Sequence, residues 1–227
     1  MFQRHHDIYA SAVLRGLLED EARAMAADLQ RCFGTHALLV GASPDDAPPA
    51  LPMLGHWARL NVNNGDFGGD LRASANESLP FVDDAFELVL LRHALEVVPD
   101  ASILMFEAAR VLAPGGVMVV TGIHPISGWA PWFHWNSRAG QRTLQMPFQL
   151  CYGLQQAGME IERVQRTGPF WPGGSTKGQP ASALGGGFVL IARKQRRSVL
   201  PVRNHPVSMR VPANSALSAG IRRSSAS

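Results

Sequence analysis

The segment FELVLLRHALEVVPDASILMFEAARVLAPGGVMVVT, residues 86–121, decides the fold class. Its ends, residues 86–91 and 117–121, are short apolar runs of the kind that form buried parallel strands. Between them Asp100 is a candidate N-cap for a helix that ends near Leu112. The buried stripe of that helix would consist of Ile103, Leu104, Ala108 and Val111. A strand, a helix and a second strand in this order predict a right-handed crossover between parallel strands.

The flanking sequence continues the alternation of helices and strands. Upstream, an amphipathic helix within residues 8–33, with Glu19, Asp20, Glu21 and Arg23 on its polar side, precedes a strand at 36–40. Further strands are predicted at 57–62 and 71–75, and the turn-rich residues 63–69 are expected to form a loop. Downstream, a helix at 147–157 leads to strands at 159–164 and 188–192. Pro48, Pro49 and Pro52 predict that any helix after the first strand is short or absent.

Composition indicates a globular chain. The 227 residues are 46% hydrophobic and 17% charged, which excludes fibrous and disordered classes. Cys32 and Cys151 are the only cysteines, without the spacing of a disulfide scaffold or a zinc site. We therefore expect a reduced, cytoplasmic setting. The N-terminal residues contain no apolar stretch suited to a signal peptide, and no run of apolar residues is long enough for a membrane-spanning helix.

Positive charge is concentrated at the C-terminal end. Residues 193–227 hold eight basic and no acidic residues, whereas residues 1–192 hold thirteen basic and all eighteen acidic residues. The tail, residues 195–227, is rich in Ser, Pro, Ala and Arg and lacks periodicity, so we expect it to be disordered. It is either a solvated extension or a weak contact for nucleic acid or another acidic surface.

Three motifs follow one another in the centre of the chain: LPFVDDAFELV at 79–89, HALE at 93–96 and ARVLAPGG at 109–116. They resemble the LPFxDxxFDxV, HxLE and RVLxPGG motifs of class I S-adenosylmethionine-dependent methyltransferases, type-11 group. The segment GIHPISGW at 122–129 is similar to the GFNPxSxW segment of a bacterial branch of these proteins, with His124 at the Asn position. The resemblance covers residues 12–194.

The resemblance implies a Rossmann-like α/β fold with a seven-stranded, mostly parallel sheet whose last strand is antiparallel. It also implies one methyltransferase-like domain over residues 1–194, including the N-terminal helix. The bound cofactor would be S-adenosylmethionine, in a pocket at the carboxyl ends of the strands, and no metal is expected. The expected cofactor-binding residues are Gly41, Ala42, Ser43, Asn61, Ser74, Ala75, Asn76 and Leu91.

Three cofactor positions depart from the family pattern. The glycine-rich first motif is here LVGASPD at 39–45, in which one glycine remains and Pro44 removes a backbone donor. The acidic residue that normally ends the second strand is absent, and Asn61 and Asn63 occupy that region. Ala75 replaces the Asp that approaches the adenine. The methionine end of the cofactor is therefore expected to be held weakly or in a different way.

Three residues are candidates for substrate binding. His93 and His124 follow adjacent strands, where each could orient a substrate or accept a proton; the alternative for His93 is a capping or packing role. Trp129 lies in an aromatic segment that could cover an apolar acceptor, or could pack against the N-terminal helix.

Two functions remain open from the sequence. The first is methyl transfer from S-adenosylmethionine to an unidentified small-molecule acceptor, without involvement of a membrane. The second is a catalytically inactive binding or regulatory protein on the same fold, for which the first motif is the argument. No catalytic residue can be assigned.

Deletion of residues 204–227 should leave the melting temperature nearly unchanged, because this stretch offers little apolar surface for packing. Thermal unfolding of the full-length and shortened proteins provides the measurement. A drop of several degrees would contradict the expectation and show that the tail is packed.

Overall fold

The computed structural model describes residues 8–63, 65–137, 143–174 and 184–196. A short 3₁₀ turn at Ile8–Ala10 precedes four α-helices and eight strands. The helices are α1 (Ala12–Leu29), α2 (Ala101–Val111), α3 (Trp129–Asn136) and α4 (Pro147–Gln156). The strands are β1 (Gly34–Gly41), β2 (Leu54–Asn63), β3 (Asp66–Gly69), β4 (Ala73–Ser74), β5 (Phe86–Arg92), β6 (Leu112–Ile123), β7 (Met159–Thr167) and β8 (Gly187–Lys194).

All eight strands form one sheet in the order β4-β3-β2-β1-β5-β6-β8-β7. The four central strands are parallel, with Val40 of β1 beside Leu91 of β5. Strand β8 runs antiparallel to both β6 and β7. The predicted α/β fold and the antiparallel last strand are confirmed. The sheet has eight strands rather than seven, because residues 66–69 form a strand where a loop was expected.

That extra strand is the second arm of a hairpin, in which β2 pairs antiparallel with β3. The dipeptide Asn64-Gly65 in the expected loop is a strong sequence signal for a two-residue hairpin turn. The strand expected at 71–75 is reduced to the two residues of β4. The hairpin folds Asp70 back beside β2, where its backbone N–H donates to the carbonyl of Arg59 at 3.0 Å.

Apolar side chains alternate between the two faces of the sheet. In β1, Leu38 and Val40 join the core beneath α2 and α4, whereas Ala37 and Leu39 face the side on which α1 packs. Because both faces of the central strands are covered, these strands are continuously apolar rather than alternating in polarity.

Helix α1 departs from expectation on its polar side. Glu21 is fully buried and Asp20 is 7% exposed, although the sequence pattern predicts both on the solvent side. A buried charged residue needs a partner of opposite charge or a hydrogen bond. The residues around Glu21 therefore show where α1 covers a polar site.

Helix α2 begins as predicted. The Asp100 carboxylate accepts hydrogen bonds from the N–H groups of Ser102, at 2.8 Å, and Ile103, at 3.3 Å. Leu104, Ala108 and Val111 are buried, but the Ile103 side chain is 37% exposed and lies outside the stripe.

Between β1 and β2 no helix forms among residues 42–53, as the prolines predict. Leu51 packs instead against the core on the α1 side. The sheet face above the ends of β1 and β2 therefore lacks a covering helix, and this leaves room for a cleft.

The tail is expected at residues 195–227, and its part from Arg197 onward lies outside the described residues, so the domain boundary at residue 194 stays a prediction. No helix in the described part of the chain is long and apolar enough to cross a membrane.

Replacing Asp100 by Ala should lower the free energy of unfolding by about 1 kcal/mol, because the N-cap carboxylate is lost and two N–H groups lose their partner. Urea denaturation measures the change. Asp100→Asn keeps a capping oxygen and should stay close to the wild type; equal losses in both variants would argue against the cap.

Candidate functional site

The loop that follows β1 is closed by its own hydrogen bonds. Ala42 N–H donates to the Arg92 carbonyl at 3.0 Å, and Ser43 N–H donates to Asp46 Oδ2 at 3.3 Å. Asp45 N–H donates to Ser43 Oγ, Asp46 N–H donates to the Ser43 carbonyl, and Pro44 has no N–H. All backbone donors from residue 42 to residue 46 are therefore already used.

The space above Gly41 is filled by a side chain of this same loop. A Cβ added at Gly41 would lie 2.4 Å from Asp46 Oδ2, so the carboxylate sits where any other residue would place its side chain. Asp46 also faces Arg92 at the end of β5, with 3.5 Å between Asp46 Oδ1 and Arg92 Nη1. This carboxylate is thus held over the ends of β1 and β5.

A cleft of about 210 Å³ opens beside this loop at the carboxyl ends of β1 and β2. Its polar side chains come from the loop, from β2 and from the end of the hairpin: Ser43, Asp46, Arg59, Asn61 and Asp70. The Asp70 carboxylate is oriented by the backbone N–H of Arg59, at 2.8 Å. The cleft therefore combines hydroxyl, amide and carboxylate groups that can bind the hydroxyls of a sugar.

The predicted cofactor residues separate into three groups. Ser43 and Asn61 line the cleft together, and Gly41 contacts its wall through Asp46. Ala42 and Leu91 are buried in two different hydrophobic clusters of the core. Residues 74–76 lie at the far end of the hairpin and do not line this cleft, although Ser74 Oγ accepts from the N–H of Asn76 at 3.3 Å. Ala75 is buried there, with its N–H bonded to the Gly65 carbonyl.

His93 is enclosed by two carboxylates. Its side chain is 1% exposed, with Nε2 at 2.9 Å from Glu21 Oε2 and Nδ1 at 3.2 Å from both Glu96 carboxylate oxygens. Tyr9 donates to Glu96 at 2.8 Å, and the Ile123 N–H also donates to Glu96. Both ring nitrogens are engaged, so His93 contacts a substrate only if this arrangement opens.

This group holds one proton tightly. Burial alone disfavours a charged imidazole, but the carboxylates of Glu21 and Glu96 outweigh it and raise the pKa of His93 to about 10. Burial also raises the pKa of Glu21, which His93 opposes. We place the shared proton on His93, because its ring has a carboxylate at each nitrogen. His93 is then an imidazolium near neutral pH.

His124 has a different environment. Its Nδ1 accepts a hydrogen bond from the Ile126 N–H at 3.1 Å, which places the ring proton of the neutral form on Nε2. Burial, and then the charge of Arg166, lowers the pKa of His124. Neutral His124 is therefore a hydrogen-bond donor at Nε2.

Trp129 packs in the core with Leu14 and Leu17 of α1. It is 1% exposed, and its Nε1 donates to the Pro169 carbonyl at 2.8 Å. Contact between Trp129 and a ligand would require this packing to open, so the substrate-binding roles of Trp129, His93 and His124 stay predictions.

Sequence reasoning missed Glu21, Asp46, Asp70 and Arg92. Only tertiary contacts bring these side chains to the ends of β1, β2 and β5. The spacing of His93 and Glu96 was the one local signal of an ion pair, since residues three apart after a strand face each other across a turn. Among the described residues, no group of three or more His, Cys, Asp or Glu side chains is arranged to hold a metal ion.

The wild-type protein should lose stability as the pH rises from 7 toward 10. The raised pKa of His93 contributes stability that is complete below its ordinary value of about 6.5 and is lost through about 10. Relative to His93→Gln, the free energy of unfolding of the wild type should fall by up to about 1.4 kcal/mol per pH unit.

Urea denaturation at several pH values measures this slope. His36→Gln, at an exposed position of β1, is the control and should keep the wild-type slope. Parallel pH profiles for the wild type and His93→Gln would refute the assignment of the proton.

Comparison with known proteins agrees with this geometry. A family model described as a methyltransferase domain matches residues 49–120. The phthiotriol/phenolphthiotriol dimycocerosates methyltransferase 1 of Mycobacterium ulcerans is 39% identical over 56 residues, which are 25% of this chain and 21% of that protein. This chain therefore matches about a fifth of the length of that relative.

Solved structures share the fold at low identity. An S-adenosylmethionine-dependent methyltransferase from Thermotoga maritima superposes with a TM-score of 0.58 at 18% identity, covering 81% of this chain and 92% of that one. One from Mesorhizobium loti gives a TM-score of 0.51 at 17% identity, covering 77% and 98%. The motifs at 79–116 lie inside the region that matches the methyltransferase domain model, and the chain shares its fold with solved S-adenosylmethionine-dependent methyltransferases.

Proposed function

We propose that this protein transfers a methyl group from S-adenosylmethionine to a small-molecule acceptor. The observation that supports this best is the cleft at the carboxyl ends of β1 and β2, which presents Ser43, Asn61 and Asp70 together. Parallel α/β sheets bind ligands at this edge, next to the point where the strand order reverses. Here that point lies between β1 and β5.

The residues of the cleft suit the nucleoside part of the cofactor. The Asp70 carboxylate can accept hydrogen bonds from ribose hydroxyls, and the Asn61 amide can both donate and accept. Asp70 would then take the place of the acid that is missing from the end of β2. The backbone of the loop after β1 does not suit the amino-acid part in the same way, because its donors are already used.

When bound, the cofactor supplies a methyl group that its sulfonium already activates, so the protein mainly has to align the acceptor. His124 follows β6 at the carboxyl edge of the sheet and could orient a polar acceptor through its Nε2–H. His93 keeps its proton between two carboxylates and would fix α1 over the site rather than exchange a proton. We expect the protein to work in the cytoplasm, as its cysteine content indicates.

A second function is favoured by one observation, the Asp46 carboxylate above Gly41. If Asp46 keeps the amino-acid end of the cofactor out, the chain would be a binding or regulatory protein on a methyltransferase fold. Incubation with S-adenosylmethionine labelled in its methyl group and a pool of cell metabolites separates the two functions. Label transfer supports the enzyme, and ligand binding without transfer supports the alternative.

S-Adenosylhomocysteine should bind to the wild-type protein, and Asn61→Ala should weaken binding about fivefold, the effect of losing a hydrogen bond worth about 1 kcal/mol. Isothermal titration calorimetry measures both affinities. Asn63→Ala removes an exposed amide two residues further along β2 and should bind like the wild type. Absence of binding at millimolar ligand, or equal losses in both variants, would overturn the proposed site.

A further inference from the structure

Arg92 and Asp46 form a loose ion pair beside the cleft. Their nearest charged atoms are 3.5 Å apart, and their side chains are only 17% and 12% exposed. Arg92 ends β5, whereas Asp46 belongs to the loop after β1 and lines the cleft itself. The pair therefore lies where the cleft meets the central strands.

Arg92 has binding capacity that its neighbours leave unused. Within the described part of the chain, its Nε is buried and has no hydrogen-bond partner. A guanidinium presents five donors in a fixed fork that matches a carboxylate through two parallel hydrogen bonds. A buried donor without a partner is unfavourable, so an acceptor from a ligand would stabilise the Arg92 side chain.

Arg92 lies among charged groups of both signs. Arg92 faces Asp46 from the loop and lies close enough to Glu21 of α1 to oppose the rise in the pKa of that carboxyl. Glu21 is already bonded to His93, and the loop is held to β5 by the Ala42 N–H and the Arg92 carbonyl. The Arg92 Nε is thus a cationic donor beside the cleft without a hydrogen-bond acceptor among the described residues.

We propose that Arg92 and Asp46 together bind the charged amino-acid end of the cofactor, Arg92 its carboxylate and Asp46 its ammonium group. The inference rests on the proposed function and names the residues that replace the glycine-rich backbone. Binding of the zwitterion would replace the loose Arg92–Asp46 ion pair by two ion pairs. One joins Arg92 to the ligand carboxylate, and the other joins Asp46 to the ligand ammonium group. It requires no free backbone N–H in the loop, which agrees with the hydrogen bonds found there.

Two ligands that differ only at the amino-acid end test this assignment. S-Adenosylhomocysteine carries the zwitterion, whereas 5′-methylthioadenosine has the same nucleoside and a sulfur but no charged group. Isothermal titration calorimetry of both ligands is carried out on the wild type, Arg92→Gln and Asp46→Asn. Asparagine at 46 can still accept the hydrogen bond from Ser43, so the loop is preserved while the charge is removed.

Arg92→Gln should weaken S-adenosylhomocysteine binding at least about tenfold and change methylthioadenosine binding by less than about twofold. Asp46→Asn should show the same selectivity. Arg163→Gln is the matched control, because Arg163 also has a buried, unpartnered Nε and an acidic partner, Asp28, but lies on the edge strand β7. It should leave both affinities unchanged.

Retained binding of methylthioadenosine shows that each variant is folded, and thermal unfolding provides a second check. If the wild type binds both ligands and Arg92→Gln weakens them equally or not at all, the inference is wrong while the proposed function stands. If the wild type binds neither ligand, the proposed function fails and the inference fails with it.

Discussion

The buried ion pair between His93 and Glu21 is the interaction on which the arrangement of the site depends. Glu21 belongs to α1 and His93 follows β5, so one contact of 2.9 Å joins the N-terminal helix to the central sheet. Glu96 extends the connection to β6 through the Ile123 N–H and to the N-terminal turn through Tyr9. Removal of one partner from such a pair leaves an uncompensated buried charge, which costs about 3–5 kcal/mol.

His93 also has a backbone conformation that depends on its surroundings. Its φ of 53° lies in the left-handed region, which few residues other than glycine adopt. The contacts of its ring and the hydrogen bond from its N–H to the Thr121 carbonyl hold it there. Strained positions of this kind persist where neighbouring structure determines them, and they cluster at functional sites. The network therefore sets the position of the chain directly after Arg92.

The absence of a helix after β1 accounts for the loop and the cleft at the ends of β1 and β2. Four prolines between residues 44 and 52 prevent a regular helix, so the chain joins β1 to β2 through turns and irregular structure. In the helix's absence, the loop satisfies its backbone through Ser43 and Asp46, and the cleft opens against the β2–β3 hairpin. A site of this kind has to recognise a ligand through side chains, since the backbone donors are not available.

Local patterns were sufficient for most of the fold. Three kinds of signal act over a few neighbouring residues, so their effect can be predicted from the sequence. They are the apolar runs of β1, β5 and β6, the Asp100 cap of α2 and the prolines after β1. The hairpin was missed although Asn64-Gly65 marks it, because the short, glycine-containing strand that follows carries little apolar pattern. Of the predicted cofactor residues, Ser43 and Asn61 line the same cleft.

The sequence by itself determined the alternation of strands and helices of an α/β fold, the absence of a regular helix after β1 and the edge at which a ligand site belongs. Only the tertiary structure decided which charged groups meet there. Glu21 and His93 are separated by 72 positions in the chain, and Arg92 and Asp46 belong to different strand ends. The strength of such pairs depends on burial and on distances below about 4 Å, which arise when α1 and the loop pack against the folded sheet.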